Sequence, residues 1–222
     1  MFAADSLRSS FWKFKPSRAA GWCLVAAWLI SVAVGLKWLM DFDMTPGAVG
    51  SPPANCPSAF VHGSSDARPL LIMFVHSNCP CSRAGLVELA GIAEANRETV
   101  DVCIYLRTSS RTSSGLETTS LWEQAAAVPG ANLVSDPDGE VASRFQVQTS
   151  GHVLLYGAAG ELLYSGGITA SRGHGGDNPG RTAVLELLAG RRTAEPQHAV
   201  FGCPLFDPAS PATIESSCPA QK

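Results

Sequence analysis

Charged residues are scarce in this sequence, and those present are unevenly distributed. Asp, Glu, Lys and Arg make up only 16% of the 222 residues. Residues 1–40 hold five basic residues and one acidic residue, so the remainder holds eleven basic and eighteen acidic residues. A chain with this acidic balance lacks the basic surface that binds a phosphate backbone. We therefore expect no nucleic acid partner, and the sequence also contains no internal repeat or heptad run.

A second absence is local, because no charged residue occurs between Ala19 and Leu36. The apolar run continues past Lys37 through residues 38–40. A helix of about 20 apolar residues spans a bilayer. A lysine near the end of such a helix can extend its ammonium group to the interface. The sequence therefore predicts one transmembrane helix over residues 19–40.

The residues that flank the apolar run predict its orientation. Lys13, Lys15 and Arg18 precede it, whereas Asp41 and Asp43 follow it. By the positive-inside rule, residues 1–18 form a cytoplasmic N-terminus and the rest of the chain is exported to a periplasmic or extracellular compartment. A cleaved signal peptide begins in a similar way, but this run is long for one and no clear A-x-A cleavage site follows. We therefore favour a retained single-pass membrane anchor.

Composition divides the exported part into three segments. Residues 41–67 are rich in Gly, Pro and Ser, which predicts a flexible linker. Residues 68–192 carry regular apolar patterns and are expected to form one folded domain. Residues 193–222 include several prolines and are expected to form a C-terminal tail.

Apolar periodicity in the central segment predicts alternating strands and helices. Strands are expected at Leu70–Val75, Val100–Leu106, Ala131–Val134, Val153–Tyr156 and Glu161–Tyr164, and the last two form a hairpin. Helices are expected at Pro80–Asn96, from Ser120 to Pro129-Gly130, at Glu140–Phe145, and from an N-cap at Asn178 through Pro179 to Gly190. This order predicts an α/β fold in which helices flank one mixed sheet.

The Cys79-Pro80-Cys81 motif lies where the first apolar strand ends and the first helix of this domain begins. A thiol at a helix N-terminus meets unpaired backbone N–H groups and the positive end of the helix dipole, so its thiolate is stabilised. The motif is therefore the first candidate for nucleophilic or metal-binding chemistry.

Several segments of the chain suggest a relationship to known proteins. They are the motif His76–Arg83, the stretches Thr149–His152 and Gly166–Thr169, the loop with Arg172, His174, Asp177 and Asn178, and Phe201–Pro204. Together with the element order, they resemble the thioredoxin-like superfamily over residues 68–190, and more closely its membrane-anchored RedB-like group. The resemblance implies a thioredoxin-like mixed sheet. The chain departs from the superfamily because it lacks the usual C-x-x-C motif, so the mechanism is argued from the residues themselves.

Three interpretations of the cysteine pair remain open. Cys79 and Cys81 can cycle between dithiol and disulfide, although a bridge between residues i and i+2 closes a small, strained ring that is readily reduced. Cys79 can instead open a C-x-x-S pattern that ends at Ser82, with Cys81 or a distant cysteine resolving its mixed disulfides. In the third interpretation, Pro80-Cys81 matches the end of the superfamily motif and Asn78 occupies the position of its nucleophile.

A second departure from the superfamily suggests an alternative function. The superfamily usually has a cis-proline before the hairpin strand, and alignment places Gly151 there, with His152 next. Loss of the proline removes a shield against metals, and His152 can add an imidazole to two thiolates. Such ligands suit Cu or Zn, and the set resembles the copper-chaperone branch of the superfamily. A hydrogen-bonded histidine that shapes the pocket is the competing interpretation.

Three polar residues outside the cysteine motif are further candidates for the same site. His76 immediately precedes the motif loop, where it can tune the thiolate or bind a metal. Arg172 and His174 lie in a glycine-rich loop, and loops on a rigid scaffold often carry function.

The remaining cysteines have more than one interpretation. Cys103 lies in an expected core strand and is predicted to be buried and inert. Two of Cys56, Cys203 and Cys218 can form a structural bridge, because export permits disulfides, and Cys203 can instead return to the site as a resolving thiol. Spacing alone does not determine the connectivity.

These features predict a membrane-anchored, exported thiol–disulfide oxidoreductase that acts on protein thiols or disulfides and requires no cofactor. Its expected catalytic residues are Cys79 and Cys81, surrounded by the substrate or tuning residues His76, Gly151, His152, Arg172 and His174. The alternative is a Cu or Zn carrier that uses Cys79, Cys81 and His152. A structural scaffold with inert cysteines is the third hypothesis, and no motif encodes the redox direction.

Overall fold

A computed structural model describes residues 17–57, 68–77, 79–108 and 120–206. The chain divides into two units, residues 1–42 and residues 43–222. Most of the expected cytoplasmic N-terminus, residues 58–67 of the expected linker, Asn78 and Cys218 lie outside the described residues.

The first unit contains the long helix α1, Arg18–Met44. Its 27 residues correspond to about 40 Å of helix, which exceeds the roughly 30 Å thickness of a bilayer core. An 18-residue window reaches a mean hydropathy of 2.0, and none of that window is buried against protein. Lys37 pairs with Asp41 at 2.6 Å one turn later, near the end of the apolar run. The predicted apolar helix is therefore confirmed, and it is long and apolar enough to cross a membrane.

The second unit is built on one five-stranded mixed sheet with the order β3-β2-β1-β4-β5. Its strands are β1 (Leu70–His76), β2 (Asp101–Thr108), β3 (Ala131–Pro137), β4 (His152–Tyr156) and β5 (Leu162–Gly166). Strands β1, β2 and β3 are parallel, whereas β4 is antiparallel to β1 and to β5. The predicted α/β class and mixed sheet are confirmed.

Helices cover both faces of this sheet. The helices α2 (Ser82–Ala95), α3 (Ser120–Ala126) and α5 (Pro179–Leu188) pack on the face that includes Leu71 and Met73 of β1. The short helix α4 (Glu140–Arg144) packs on the face that includes Ile72 and Phe74. Because side chains alternate along a strand, consecutive residues of β1 serve two separate apolar cores.

Local signals in the sequence determine several element boundaries. Asn178 accepts a hydrogen bond from the Arg181 N–H at 2.9 Å, and Pro179 is the first residue of α5, as predicted. Strand β3 runs to Pro137, three residues beyond the end at Val134 that the sequence predicts. In this added part of β3, which pairs with β2, the Asp136 carboxylate accepts hydrogen bonds from the Val141 and Ala142 N–H groups at the start of α4.

Part of the segment expected to be a flexible linker is attached to the domain. The Gly47 N–H donates to the Val200 carbonyl at 2.8 Å, and the Cys56 N–H donates to Gly160 at 2.8 Å. The Tyr156 hydroxyl donates to the Pro53 carbonyl at 3.0 Å. Backbone hydrogen bonds and a buried tyrosine therefore hold residues 47–56 against the sheet.

Residues 196–205 of the expected tail also pack on the domain. The Ser165 N–H donates to Pro196 at 3.0 Å, the Ser150 N–H donates to Cys203 at 2.9 Å, and the Leu205 N–H donates to Gln148 at 2.7 Å. Val200 and Leu205 are fully buried. This segment, which we call the docked tail, therefore follows the edge of the sheet and then crosses the turn that precedes β4.

The docked tail approaches the backbone closely at Gly202. A Cβ atom at this position would lie 1.9 Å from the Ser150 carbonyl oxygen, which is far inside van der Waals contact. We expect Gly202→Ala to cost about 1–3 kcal/mol of unfolding free energy, because the tail must shift away from the turn. Urea unfolding of the full-length chain in detergent would measure this loss.

Gly91→Ala provides the control for this substitution. Its nearest non-local contact is the Arg181 side chain at 3.9 Å, and alanine is favoured inside a helix. We expect this variant to be as stable as the parent or slightly more stable. Equal stability of the Gly202→Ala and parent proteins would contradict the tight docking of the tail.

Candidate functional site

Three cysteine side chains converge at the N-terminus of α2. Cys79 follows β1, Cys81 is the residue immediately before α2, and Cys203 is brought in by the docked tail. Their sulfur atoms all lie within 4.8 Å of one another, and all three are free thiols. Cys79 is only 1% exposed, whereas the other two are partly exposed. We call this group the thiol cluster.

Cys79 is the thiol whose anionic form the surroundings favour. Burial raises its pKa, but hydrogen bonds from the Ser82 hydroxyl, the Cys203 thiol and the backbone N–H groups of both residues lower it. The net effect lowers the pKa of Cys79 below that of an ordinary thiol. The Ser82 N–H belongs to the first residue of α2, at the positive end of the helix dipole, and it also donates to the Cys79 carbonyl at 3.2 Å.

A chain of hydroxyl groups supports this arrangement. The Ser82 and Ser150 hydroxyl oxygens lie 2.7 Å apart, and the His76 N–H donates to the Ser150 hydroxyl at 2.7 Å. If Ser82 donates to the Cys79 sulfur, Ser150 must donate to Ser82, because each hydroxyl carries one proton. The chain can therefore end on a thiolate with each hydroxyl accepting one hydrogen bond and donating one.

The other two thiols of the cluster favour their neutral forms. Burial and the nearby Cys79 raise the pKa of Cys81, and the Arg172 guanidinium partly offsets this rise. Burial and the hydrogen bond to Cys79 raise the pKa of Cys203, again partly offset by Arg172. Cys79 is therefore the most readily ionised of the three thiols, and the Arg172 cation lies beside Cys81 and Cys203.

Arg172 connects the glycine-rich loop both to the docked tail, which carries Cys203, and to Cys81. Its guanidinium donates to the Gly202 carbonyl in the docked tail and also to the Cys81 sulfur. This side chain thus holds the tail and places positive charge at the cluster. The sequence identified Arg172 as a candidate substrate or thiolate contact, and in the structure its guanidinium contacts the Cys81 sulfur.

The geometry bears on two of the three interpretations of the cysteine motif, because Asn78 lies outside the described residues. Ser82, three positions after Cys79, contributes both its hydroxyl and its backbone N–H to the Cys79 sulfur. This is the arrangement expected if Cys79 opens a C-x-x-S motif. The i, i+2 partner Cys81 is also within reach, so the cluster offers Cys79 two potential disulfide partners.

Gly151 has a backbone conformation that favours glycine. Its φ of 91° lies in the left-handed region, and its N–H donates to the Phe74 carbonyl at 2.8 Å. A proline in this position would supply no such donor. The residue thus joins β1 to the turn before β4.

His152 lies in the protein interior and is not part of the thiol cluster. It is fully buried, and its Nε2 atom lies 2.9 Å from the Ser165 hydroxyl. Its Nδ1 atom has no hydrogen-bond partner among the described residues. Strand alternation places it with Leu154 on the face opposite α2, which explains why its ring does not join the cysteines.

The other two candidate histidines have different positions. His76 is partly buried, its N–H joins the hydroxyl chain, and its carbonyl accepts the Cys79 N–H at 3.0 Å. His174 is exposed, and its Nδ1 lies 2.7 Å from the Arg172 carbonyl. His76 therefore contributes backbone geometry to the cluster, and His174 belongs to the loop that carries Arg172.

The sequence did not identify Ser150 as part of the site. It lies 68 residues from Ser82, and no spacing rule connects the two. The C-x-x-S spacing did indicate Ser82, although as the end of a pattern and not as a hydrogen-bond donor. Of the remaining cysteines, Cys103 is buried in β2 as predicted, and Cys56 is a free, partly buried thiol.

No family model and no curated protein sequence matches this chain. An uncharacterized conserved protein from Geobacillus kaustophilus has 18% identity and a TM-score of 0.54, over 76% of this chain and 95% of its own. A hypothetical protein from Sinorhizobium meliloti 1021 has 21% identity and a TM-score of 0.52, over 76% of this chain and 97% of its own. A secreted Mycobacterium tuberculosis disulfide oxidoreductase has 16% identity and a TM-score of 0.42, over 56% of this chain and 83% of its own.

The sheet order and helix arrangement identify a thioredoxin-like fold, as the sequence predicted. The two structures with the higher TM-scores share the overall chain path over three quarters of this protein. At this identity they establish the fold alone, and a shared fold does not determine the chemistry of a site.

The Ser82 hydroxyl is expected to be a main determinant of Cys79 acidity. Ser82→Ala removes a hydrogen bond to a charged group, worth about 1.5–3 kcal/mol, so the Cys79 pKa should rise by about one to two units. Thiolate absorbance followed against pH, relative to a matching Cys79→Ser protein, would measure it. Ser82→Thr keeps the hydroxyl and should restore the low value. An unchanged pKa in Ser82→Ala would contradict the assigned hydrogen bond.

Burial of His152 should make stability depend on pH. Burial lowers its pKa from 6.5 to about 4, so the unfolded chain binds more protons between these values. The parent should therefore lose as much as about 3 kcal/mol more unfolding free energy than His152→Gln between about pH 7 and pH 4. Urea titrations at several pH values would test this. Exposed His174→Gln should keep the parent's pH dependence, and the same dependence in His152→Gln would contradict the argument.

Proposed function

We propose that this protein is a membrane-anchored, exported thiol–disulfide oxidoreductase that acts on protein thiols. The observation that carries the proposal is the Cys79 sulfur, which accepts hydrogen bonds from Ser82 and Cys203 while the Cys203 thiol lies beside it. A stabilised thiolate next to a second thiol is the arrangement that disulfide exchange requires.

In this proposal Cys79 and Cys203 form the reversible disulfide. Cys203 is in hydrogen-bond contact with Cys79 and comes from a separate segment, so closing this bridge avoids the small ring of a Cys79–Cys81 disulfide. The expectation that Cys81 is the partner is retained as the competing outcome of the test below.

The exchange reaction balances without a cofactor. A substrate thiolate attacks the Cys203 sulfur, the Cys79–Cys203 bond breaks, and Cys79 leaves as a thiolate. A second substrate thiolate then attacks the substrate sulfur of the mixed disulfide, which releases Cys203 to take up a proton. Two electrons pass from the substrate dithiol to the protein. In the reverse direction Cys203 attacks the substrate disulfide, and Cys79 then attacks the Cys203 sulfur of the mixed disulfide, which closes the protein disulfide and releases the substrate dithiol. In this scheme Cys79 is the resolving thiol, whereas the sequence predicts Cys79 as the nucleophile toward substrate and Cys203 as a resolving thiol.

The site favours oxidation of the substrate. Interactions that stabilise the Cys79 thiolate stabilise the reduced protein, which makes its disulfide a stronger oxidant. A low-pKa thiol is also the better leaving group, and attack at the partly exposed Cys203 makes the buried Cys79 that leaving group.

The apolar helix provides the cellular context. The 27 residues of α1 are sufficient to span a bilayer, and the basic residues before it favour a cytoplasmic N-terminus. The thiol cluster then lies in an oxidising compartment, where disulfides form and persist. Exported protein thiols are the corresponding substrates.

Rates of dithiol oxidation by full-length protein in detergent would test the proposal. The substrate is a reduced peptide with two cysteines, and oxidised glutathione restores the protein disulfide. We expect the oxidation rates of the Cys79→Ser and Cys203→Ser proteins to fall to the uncatalysed rate, because each variant lacks one sulfur of the reversible disulfide. Cys81→Ser and the partly buried control Cys56→Ser should retain most of the activity.

Disulfide mapping of the oxidised protein provides the second readout. A Cys79–Cys203 bridge is expected. A Cys79–Cys81 bridge, together with loss of activity in Cys81→Ser, would assign the partner role to Cys81. Full activity in Cys79→Ser would contradict the proposed function.

A further inference from the structure

We propose that the reduced protein binds one Cu(I) ion through the sulfur atoms of Cys79, Cys81 and Cys203. This site differs from the set suggested by the sequence, because a third sulfur takes the place of the His152 imidazole. The three sulfur atoms lie within 4.8 Å of one another without any ion. Metal–thiolate bonds of about 2.3 Å place three sulfurs around one ion at mutual distances of about 4 Å. The cluster therefore needs to contract by less than about 1 Å.

The donor set selects the metal. Thiolates are soft ligands that favour Cu(I), Zn(II) or iron–sulfur clusters. Zinc in structural sites takes four ligands in tetrahedral geometry. Among the described residues, the cluster brings together three sulfurs and includes no histidine or carboxylate. A soft ion with low coordination number fits three sulfurs better than zinc does.

The positively charged and hydrogen-bond-donating groups around the cluster suit a metal complex that carries excess negative charge. Three thiolates and one Cu(I) ion together carry two negative charges. The Arg172 guanidinium acts on both the Cys81 and Cys203 sulfurs, and the backbone N–H groups of Ser82 and Cys203 point at Cys79. Supporting groups of this kind orient metal ligands and stabilise their charged forms.

The site also has an opening for the ion. Cys79 is buried, but Cys81 and Cys203 are partly exposed, so an incoming ion can meet these two sulfurs first. Binding displaces the thiol protons that the three cysteines still carry and transfers no electron, so copper enters and leaves as Cu(I). A disulfide within the cluster removes two ligands, and metal binding is therefore restricted to the reduced protein.

Anaerobic titration of the full-length reduced chain in detergent with Cu(I), against a chromogenic Cu(I) chelator, would test the proposal. We expect one equivalent to bind, and X-ray absorption to give three sulfur neighbours. Loss of a residue that supports a metal ligand costs up to roughly 100-fold in metal affinity. Loss of a ligand should cost more, so we expect Cu(I) binding to weaken by more than this factor in each of Cys79→Ser, Cys81→Ser and Cys203→Ser.

Two variants serve as controls for the titration. His152→Gln removes the imidazole of the other ligand set, and Cys56→Ser removes a thiol outside the cluster. Both should bind Cu(I) as the parent does. Retained affinity in Cys203→Ser, loss of affinity in His152→Gln, equal binding by the oxidised protein, or four-coordinate Zn(II) bound in preference to Cu(I) would each overturn the proposal. The dithiol oxidation rates are measured without metal, so failure of either proposal leaves the other testable.

Discussion

A short antiparallel pairing between residues 148–150 and 203–205 determines the properties of the thiol cluster. Ser150 and Leu205 donate the two backbone hydrogen bonds, and Thr149 and Pro204 form the bridge between them. The pairing brings the Cys203 sulfur within 4.8 Å of the sulfur of buried Cys79. It also fixes Ser150, whose hydroxyl contacts Ser82 in α2. Without the docked tail, Cys79 would lose hydrogen-bond donors and the cluster would lose a sulfur.

The same geometry serves both proposed chemistries, and they exclude each other at any moment. Disulfide exchange uses the proximity of Cys79 and Cys203, whereas metal binding uses all three sulfurs in their anionic forms. Arg172 matters to both, because it holds Gly202 in the tail while its charge acts on Cys81. If both proposals hold, the oxidation state of the cluster decides whether it accepts electrons or a metal ion.

Local sequence signals predicted an element boundary correctly where one or two adjacent residues determine it. Asn178 and Pro179 determine the start of α5 through a hydrogen bond and a fixed dihedral angle, both of which are local. Strand β3 extends beyond its expected end at Val134 because residues 135–137 continue to pair with β2. Residues 47–56 were expected to be a linker on composition alone. They contact residues such as Tyr156 and Val200, which are far away in the sequence, so no local sequence pattern indicates these contacts.

The sequence alone determined the apolar helix, the α/β order and the placement of Cys79 at a helix start, because each depends on short-range periodicity or on neighbouring residues. Tertiary structure decided which side chains meet. It placed His152 on the face opposite α2. Side chains alternate between the two faces along β4, so burial of the apolar residues of β4 also fixes the face on which His152 lies. It also brought in Cys203 and Ser150, because contacts across long sequence separations depend on how strands and the tail pair, and no spacing in the chain records that pairing.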